Sequence, residues 1–309
     1  MKALITGVAG FIGSHLADRL LSEGFEIIGV DNLYSGTVYN LLKAKKSKKF
    51  SFFKLDIRNK LKLTKISKDI NFIFHQAAIT EIPFSFKNPE LVHDVNVNGT
   101  LNILDISRKT DSKLVFASSS SVYGYPENIP IKEEHTTNPV TPYGLTKLIS
   151  EKYCELFSKL YGTQIVSLRY FNVYGPRQNI KSHYSGVIAA FIKNILNNLS
   201  PVIYGDGKQV RDFIFVEDVV EANYLAGINN VNGVFNVGTG VATSIIDLAN
   251  IISEIVVKKI KPRFSRGRPH DIKISVADTS KIEMELKFKP KISLYEGLIR
   301  TIDYFKQVI

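Results

Sequence analysis

The stretch KALITGVAGFIG, residues 2–13, decides the fold of this chain. Residues 2–6 are an apolar run of strand length, and glycines follow at positions 7, 10 and 13. From residue 11 to residue 21 the apolar side chains recur at helical spacing, and Gly24 marks the end. Glycines let backbone N–H groups approach a pyrophosphate at the positive end of a helix. The order strand, glycine turn, helix therefore predicts a dinucleotide-binding unit.

A carboxylate stands where such a unit needs one. The second apolar run, residues 26–30, ends at Asp31, about 20 residues after the glycines. Asp31 can accept hydrogen bonds from an adenosine ribose and would repel a 2′-phosphate, so the pattern favours NAD over NADP. Taken alone, Asp31 would be an ordinary solvated turn residue.

The chain then alternates between apolar runs and helical patterns. We expect strands near 2–6, 26–31, 50–54, 71–75, 113–118 and 165–171. This alternation predicts an α/β fold with a doubly wound parallel sheet covered on both faces. Less regular material follows, with helices near 186–197, 217–228 and 244–256 and short strands near 201–204 and 213–216.

Tyr143 and Lys147 stand four residues apart, on one face of a predicted helix. An ammonium group beside a phenol favours the phenolate, so we expect the pKa of Tyr143 to fall below its usual value of about 10. Such a tyrosine can exchange a proton with a sugar hydroxyl near neutral pH. Spacing alone would more often indicate a solvated helix face, and the glycine turn upstream gives the pair its weight.

Composition indicates a soluble enzyme of a reducing cytoplasm. No apolar run reaches the roughly 18 residues that span a bilayer, and the first residues lead directly into a strand. Cys154 is the only cysteine, so we expect neither a disulfide framework nor a metal site, and we expect Cys154 to serve packing. His75 is expected to be a packed strand-end residue, and His183 and His270 show no ligand spacing.

The net charge of +11 suggests an anionic partner. The densest cluster is KAKKSKK at residues 43–49. We expect it to be a solvated loop or helix face, and a polyanion-binding patch is the alternative. A positive field also suits a substrate that carries a diphosphate, so charge alone does not separate these hypotheses.

The chain resembles the extended short-chain dehydrogenases/reductases of the NAD-dependent nucleotide-sugar epimerase/dehydratase family. Within that family it is most similar to the UDP-glucose and UDP-N-acetylglucosamine 4-epimerases. The matching motifs run through nearly the whole chain, in order, at 7–13, 31–32, 56–58, 75–78, 96–100, 118–124, 143–147, 169–176, 211–213 and 268–271.

The resemblance implies a domain organisation. It implies a Rossmann domain for NAD over residues 1–172 and a smaller α/β lobe for the nucleotide sugar over residues 173–309. The segment near 217–240 is expected to return to the first domain. The helices near 89–109 and 143–161 are expected to form a symmetric four-helix interface in a homodimer.

The resemblance also implies site residues. The catalytic positions fall on Ser119, Tyr143 and Lys147, and the adjacent Ser120 and Ser121 could substitute for Ser119. The cofactor positions are Gly7, Gly10, Phe11, Ile12, Gly13, Asp31, Asn32, Asp56, Ile57, Asn96, Tyr143, Lys147 and Phe171. The substrate positions are Ser119, Ser120, Ser121, Tyr143, Asn172, Tyr204, Arg211, Arg268, Asp271 and Ser275.

Two of these positions narrow the expected reaction. The related sugar dehydratases carry Asp and Glu where this chain has Ser120 and Ser121, and the related decarboxylases commonly carry Glu at the second position. Without those acids, simple epimerisation at carbon 4 is favoured.

At the position of Ser275 a bulky Tyr restricts the related epimerases to UDP-glucose and UDP-galactose. The small Ser275 would leave room for an N-acetyl group.

The sequence therefore predicts an NAD-dependent 4-epimerase of UDP-hexoses that acts through a transient 4-keto sugar. Tyr143 would take the proton of the 4-hydroxyl while hydride leaves carbon 4 for the cofactor. Within the family, a UDP-sugar dehydratase, a decarboxylase or a UDP-uronic acid epimerase stays open. From another class, a Rossmann-fold nucleic-acid-binding protein could use the cluster at 43–49. Such a binder would have no need of Ser119, Tyr143 and Lys147.

Overall fold

A computed structural model describes residues 1–180, 186–258, 260–267 and 271–308 of the chain. The strands are β1 Lys2–Thr6, β2 Glu26–Asp31, β3 Phe50–Lys54, β4 Phe72–His75, β5 Lys113–Ser119, β6 Ile165–Tyr170, β7 Asn172–Tyr174, β8 Val202–Tyr204, β9 Val210–Arg211, β10 Phe213–Phe215, β11 Gly233–Val237, β12 Thr243–Ser244, β13 Arg263–Ser265 and β14 Ile274–Ser275. The helices are α1 Phe11–Ser22, α2 Lys60–Ile66, α3 Ile82–Lys87, α4 Pro89–His93, α5 Gly99–Thr110, α6 Pro142–Tyr161, α7 Val187–Leu196, α8 Val216–Ile228, α9 Ile245–Ile255, α10 Ser280–Leu286 and α11 Leu294–Val308.

Seven parallel strands form the central sheet in the order β11-β6-β5-β4-β1-β2-β3. Successive side chains of a strand face opposite sides of a sheet, and both faces here are apolar. Ala3 and Ile5 pack on the side of α1 and α8, whereas Leu4 packs on the side of α2 and α5. The doubly wound α/β fold expected from the sequence is confirmed.

The order of the strands locates the ligand end of the sheet. From β1 the chain moves outward through β2 to β3, and it then returns to β4 on the other side of β1. In doubly wound sheets the crevice at this reversal, outside the carboxyl ends of the strands, binds ligands. The loops that follow β1, β2, β4 and β5 are therefore the places to look for a site.

The later part of the chain divides between two cores. Strand β11 pairs with β6 at one edge of the central sheet, and α8 packs against α1. Helices α7, α9 and α11 enclose a second apolar core with β10. Three small sheets complete this region, β10-β7, β12-β9-β14 and β13-β8. A domain boundary near residue 172 stays a prediction.

Two further findings concern the part of the chain that the structure describes. None of its helices is long and apolar enough to cross a membrane. Its histidines, cysteine and carboxylates form no group of three or more that could hold a metal ion.

Candidate active site

The glycine turn brings the start of α1 against the end of β1. Gly7 has a φ of +68°, and a Cβ there would lie 2.8 Å from the backbone nitrogen of Ala77. A Cβ on Gly13 would lie 2.2 Å from the carbonyl oxygen of Gly7. The N–H of Gly10, the residue before α1, donates to that same oxygen at 3.0 Å. Without side chains at these glycines, the positive end of α1 is accessible to phosphate groups.

Asp31 connects the glycine turn to the end of β2 through hydrogen bonds. Its carboxylate accepts hydrogen bonds from the backbone N–H of Ala9 at 3.0 Å and of Leu33 at 2.7 Å. Burial raises the pKa of Asp31, and these hydrogen bonds oppose the shift because they favour the charged form. Asp31 therefore supports the glycine turn as well as lining the cavity beside it.

A second carboxylate lies beyond Asp31. The amide of Asn32 donates to Asp56 at 2.9 Å, and Arg58 forms an ion pair with the same carboxylate. The hydrogen bond from Arg58 lowers the pKa of Asp56 to about 2, so Asp56 stays ionised at neutral pH. This end of the site offers fixed acceptors for the hydrogen-bond donors of an adenosine.

The loops at the carboxyl ends of the strands enclose a cavity of about 870 Å³. Ligand sites in proteins commonly measure about 300–1,000 Å³. Twelve of the thirteen residues predicted to bind the cofactor line this cavity. The exposed helix end, the ribose acceptor Asp31 and the ionised Asp56 lie along one wall, so the residues present fit a dinucleotide.

Asn96 is the predicted cofactor residue that does not line the cavity. It is buried, and its amide bonds both the N–H of Ile79 at 2.8 Å and the carbonyl of Ile79 at 3.0 Å. It also donates to the hydroxyl of Thr146 on α6 at 3.0 Å. Asn96 thus holds a lining segment in place against the helix of Tyr143.

Strand β5 and helix α6 bring the three predicted catalytic side chains together. Helix α6 begins at Pro142, where the hydroxyl of Thr141 accepts a hydrogen bond from the N–H of Gly144 at 3.0 Å. Tyr143 is hydrogen-bonded to Ser119, which ends β5. The ammonium of Lys147 donates to the carbonyl of Ala117 at 2.7 Å. Ser119, Tyr143 and Lys147 all line the cavity.

The expected effect of Lys147 on Tyr143 is wrong for this structure. Burial raises the pKa of Tyr143 to about 12, and the hydrogen bond with Ser119 opposes the shift. Burial also lowers the pKa of Lys147 to about 8. The ammonium of Lys147 does not offset the burial of the phenol, because it is directed at strand β5. It donates to the β5 carbonyl and lies 5.0 Å from the centre of the Phe116 ring.

Ser119 is the one of the three candidate serines that lines the cavity. The hydroxyl of Ser121 donates to the Ser119 hydroxyl at 2.9 Å, and the N–H of Ser121 donates to the same oxygen at 3.2 Å. Because Ser119 receives both bonds, its own proton is left to donate. Tyr143 is the hydrogen-bond partner that can receive it.

Among the predicted substrate residues outside β5 and α6, Asn172, Tyr204, Arg211 and Ser275 lie in strands of the small sheets, and none of the described ones lines the cavity. Arg211 pairs with Asp271 at 2.6 Å, and Ser275 lies opposite Arg211 in the β9–β14 register. Asn172 donates to the carbonyl of Asp212 at 3.0 Å. Tyr204 ends β8, and Arg268 lies outside the described residues. The structure thus brings Arg211, Asp271 and Ser275 together.

A buried ion pair beneath the site has no counterpart in the sequence analysis. Arg169 on β6 pairs with Glu151 on α6 at 2.8 Å, and Ser118 on β5 donates to the same carboxylate. Arg169 also donates to the hydroxyl of Tyr123 at 2.8 Å. Glu151 follows Lys147 by four residues, and that spacing was the signal that could have found it. The pair ties together the elements that carry Ser119, Tyr143 and Lys147.

Known proteins are similar to this chain in sequence and in fold. Residues 3–238 match the model of the NAD dependent epimerase/dehydratase family. A UDP-glucose 4-epimerase of Mycolicibacterium smegmatis is 38% identical over 311 residues, which cover 99% of each chain. The structure of a UDP-N-acetylglucosamine 4-epimerase from Methanobrevibacter ruminantium, in complex with UDP-N-acetylmuramic acid, superposes with a TM-score of 0.96 at 38% identity, covering 100% of this chain and 99% of the other. The UDP-glucose 4-epimerase of Thermus thermophilus in complex with NAD gives a TM-score of 0.91 at 35% identity, with both chains fully covered.

The family match spans most of the chain, and it includes the glycine turn, Asp31, Ser119, Tyr143 and Lys147. The superpositions extend over the whole chain, so the small sheets around Arg211 belong to the shared fold. The chain therefore belongs to the NAD-dependent epimerase/dehydratase family, whose cofactor is NAD.

Proposed function

We propose that this chain is an NAD-dependent 4-epimerase that interconverts UDP-glucose with UDP-galactose and UDP-N-acetylglucosamine with UDP-N-acetylgalactosamine. The observation that carries the proposal is the convergence of Ser119, Tyr143 and Lys147 at the end of β5. These side chains line the same cavity as the glycine turn. Relatives named as 4-epimerases of both kinds of sugar support it.

Tyr143 and Ser119 are proposed to transfer the proton of the sugar 4-hydroxyl. The glycine turn, Asp31 and Lys147 would hold NAD, which would supply the hydride chemistry at carbon 4 of the sugar. Tyr143 removes the proton of the 4-hydroxyl as the carbonyl forms, and it returns a proton as the alcohol is restored. Ser121 already donates to Ser119, so the Ser119 hydroxyl is free to donate to Tyr143 and to stabilise the phenolate.

Arg211 is proposed to bind the diphosphate of the substrate. Its guanidinium is mostly buried, and burial lowers the pKa of Arg211 although Asp271 lies 2.6 Å away. A diphosphate beside the guanidinium would offset part of this desolvation, and a guanidinium pairs well with phosphate oxygens. The ion pair with Asp271 holds the guanidinium in place before substrate arrives.

Three serine positions support an epimerase that also accepts acetamido sugars. Ser120 and Ser121 stand where related dehydratases carry acids, and the Ser121 hydroxyl is engaged with Ser119. Elimination of water would need a proton donor at those positions, so epimerisation without elimination is favoured. Ser275 is small and lies beside Arg211 in the register of β9 and β14, which supports room for an acetamido group.

A panel of UDP-sugars tests the proposal. The purified protein is incubated with UDP-glucose, UDP-N-acetylglucosamine and UDP-glucuronate, and the products are identified by NMR. We expect the galacto isomers of the first two sugars. A 6-deoxy-4-keto sugar would indicate a dehydratase, and a UDP-pentose would indicate a decarboxylase. Turnover of UDP-glucuronate alone to its 4-epimer would overturn the hexose assignment in favour of a uronic acid epimerase.

The alternative from another class is tested separately. If the chain were a nucleic-acid-binding protein, filter retention of RNA would persist at moderate salt, and none of the UDP-sugars would be converted. For an enzyme we expect retention that is weak and falls steeply with salt.

A further inference from the structure

Residues 38–49, which we call the basic segment, form an outer surface of mixed character. Its five lysines, Lys43, Lys45, Lys46, Lys48 and Lys49, are all exposed. Beside them Leu42 is 60% exposed and Val38 is 37% exposed, and Tyr39, which also lines the cavity of the candidate site, is 76% exposed. The segment thus combines exposed apolar side chains with a run of exposed cations.

The basic segment is firmly attached to the body of the molecule. Leu41 and Ala44 are buried, and both belong to the core that contains α1. The side-chain amide of Asn40 and the N–H of Thr37, which precedes the segment, both donate to the carbonyl of Ala9 at 3.0 Å. Because the inward residues are anchored, Tyr39, Leu42 and the lysines project from a defined scaffold.

The positive charge of the basic segment is not compensated locally. Residues 32–55 contain no aspartate or glutamate. Among the described residues, none of the five ammonium groups forms an ion pair with a carboxylate. Lys49 donates to the carbonyl of Gly24 at 3.0 Å, and Lys45 lies 5.7 Å from the centre of the Phe52 ring. The segment therefore keeps its charge available for an anionic partner.

We propose that the basic segment docks this chain on the surface of an anionic lipid bilayer. Lysines near a negatively charged leaflet are attracted to its headgroups, and long lysine stems reach outward while apolar neighbours sink. Leu42 and Val38 gain from contact with acyl chains but have no ring to stack on nucleic-acid bases. This mixture favours a bilayer over RNA.

Sedimentation with vesicles tests the docking. The full chain with its cofactor is mixed with phosphatidylcholine vesicles or with vesicles that contain about 30 mol% phosphatidylglycerol, at ~0.1 M and ~0.5 M salt. We expect binding to the anionic vesicles only, weakened by salt. RNA is tested under the same conditions. No binding to anionic vesicles at low salt, or tighter binding to RNA than to vesicles, would overturn the proposal.

Matched variants assign the binding to the basic segment. Lys46→Gln with Lys48→Gln removes two exposed cations from it, and we expect vesicle binding to weaken about tenfold or more. The control, Lys287→Gln with Lys291→Gln, removes two exposed cations elsewhere and should change binding little. An equal loss in both pairs would mean that net charge alone attracts the protein, which would contradict a defined docking surface.

A third variant distinguishes the contact of apolar side chains with the bilayer from the electrostatic attraction of the lysines. Val38→Ser with Leu42→Ser keeps the charge and changes no residue of the cavity, so binding at low salt should persist while the part that survives higher salt is lost. Unchanged salt resistance would exclude the apolar side chains from the contact. Epimerisation in solution and NAD content are expected to be unaffected, so failure of this proposal leaves the proposed reaction untouched.

Discussion

The phenol of Tyr143 and the ammonium of Lys147 are both buried, and burial favours the neutral form of each. A tyrosine with a pKa of about 12 keeps its proton at neutral pH, so the bound ligands must shift the balance before Tyr143 can act as a base. The phenol is nevertheless the group through which the proton passes in the proposed reaction.

Tyr143→Phe tests that role. We expect turnover of UDP-glucose to fall by roughly 10²–10⁴-fold, because general acid–base catalysis is lost while the ring still fills its space. Bound NAD, measured after denaturation, should remain at the level of the unmodified protein. Tyr161→Phe is the control, since Tyr161 lies on the same helix and is 53% exposed. Turnover of Tyr143→Phe close to that of the control would remove Tyr143 from the mechanism.

Ser275→Tyr tests the proposed breadth of substrates. If Ser275 borders the space for the acetamido group, a tyrosine should exclude UDP-N-acetylglucosamine by steric clash while UDP-glucose still fits. The ratio of kcat/KM for these two sugars should fall by about a hundredfold or more, since a clash can exceed the effect of one missing methylene. Ser275→Ala, which stays small, should leave the ratio unchanged. The same ratio in all three proteins would show that Ser275 does not control the choice of sugar.

His75 gives the fold a sensitivity to acid. Its ring nitrogens bond the hydroxyls of Thr6 at 2.6 Å and Thr100 at 3.0 Å, and burial lowers the pKa of His75 to about 3. Between the ordinary pKa of about 6.5 and about 3, the unfolded chain binds a proton that the folded chain does not. The free energy of unfolding should therefore fall with decreasing pH, by up to about 1.4 kcal/mol per pH unit from this residue.

Denaturant unfolding between pH 7 and pH 4 measures the contribution of His75. His75→Gln should be less stable at pH 7, because the two threonines lose their partner, but its stability should fall less steeply in acid. His93→Gln is the control, since His93 is exposed at the end of α4. An acid slope of His75→Gln identical to that of the control would contradict the assignment.

At the scale of elements, α1 depends on the absence of a side chain at Gly13. Gly13→Ala would place a methyl group 2.2 Å from the carbonyl oxygen of Gly7, so α1 and the turn would have to separate. We expect a loss of about 1–3 kcal/mol in the free energy of unfolding, together with a lower NAD content. Gly162→Ala is the control, because a Cβ there meets nothing within 4 Å and only the φ of +68° adds a cost of about 1 kcal/mol. Full NAD content in Gly13→Ala would show that the turn tolerates the separation.

The elements of the central sheet could be predicted because their signals are local. The expected strands 2–6, 26–31 and 50–54 coincide with β1, β2 and β3. Their bounds follow from apolar runs that end at glycines or charged residues. Strand β11 was not predicted, because GVFNV at 233–237 is short and its only neighbour, β6, lies more than 60 residues earlier. Pairing over that distance leaves no periodic trace in the sequence.

At the scale of the whole molecule, contacts in the candidate site between distant parts of the chain could likewise not be predicted from the sequence. Spacing indicated Tyr143 and Lys147, the family resemblance indicated Ser119, and the fold brings the three together. The sequence could not show that Lys147 bonds Ala117, or that Asn96 supports the cavity wall from behind. Both contacts depend on how neighbouring helices and strands pack. Packing determines where a side chain points and how deeply it is buried.

The predicted dimer concerns the whole molecule, and the exposed side of helix α6 is the surface that favours it. Helix α5 lies in the stretch near 89–109 that was expected at the interface, but its Ile103, Leu104 and Ile106 are buried within the chain. Helix α6 keeps Leu145, Leu156 and Leu160 exposed by 49%, 46% and 63%. Their spacing places them along one side of the helix. We propose that this side of α6 packs against its own copy in a two-fold symmetric dimer.

Light scattering of Leu156→Glu tests the dimer. In a two-fold interface each substitution occurs twice, so two carboxylates would be buried near one another without partners. We expect the unmodified protein to be a dimer at about 10 µM and the dissociation constant of the variant to rise by about a hundredfold or more, which corresponds to roughly 2.7 kcal/mol. Leu199→Glu is the matched control, because Leu199 is 59% exposed in the turn after α7, away from α6. A monomeric unmodified protein, or an equal effect of both substitutions, would contradict association through α6.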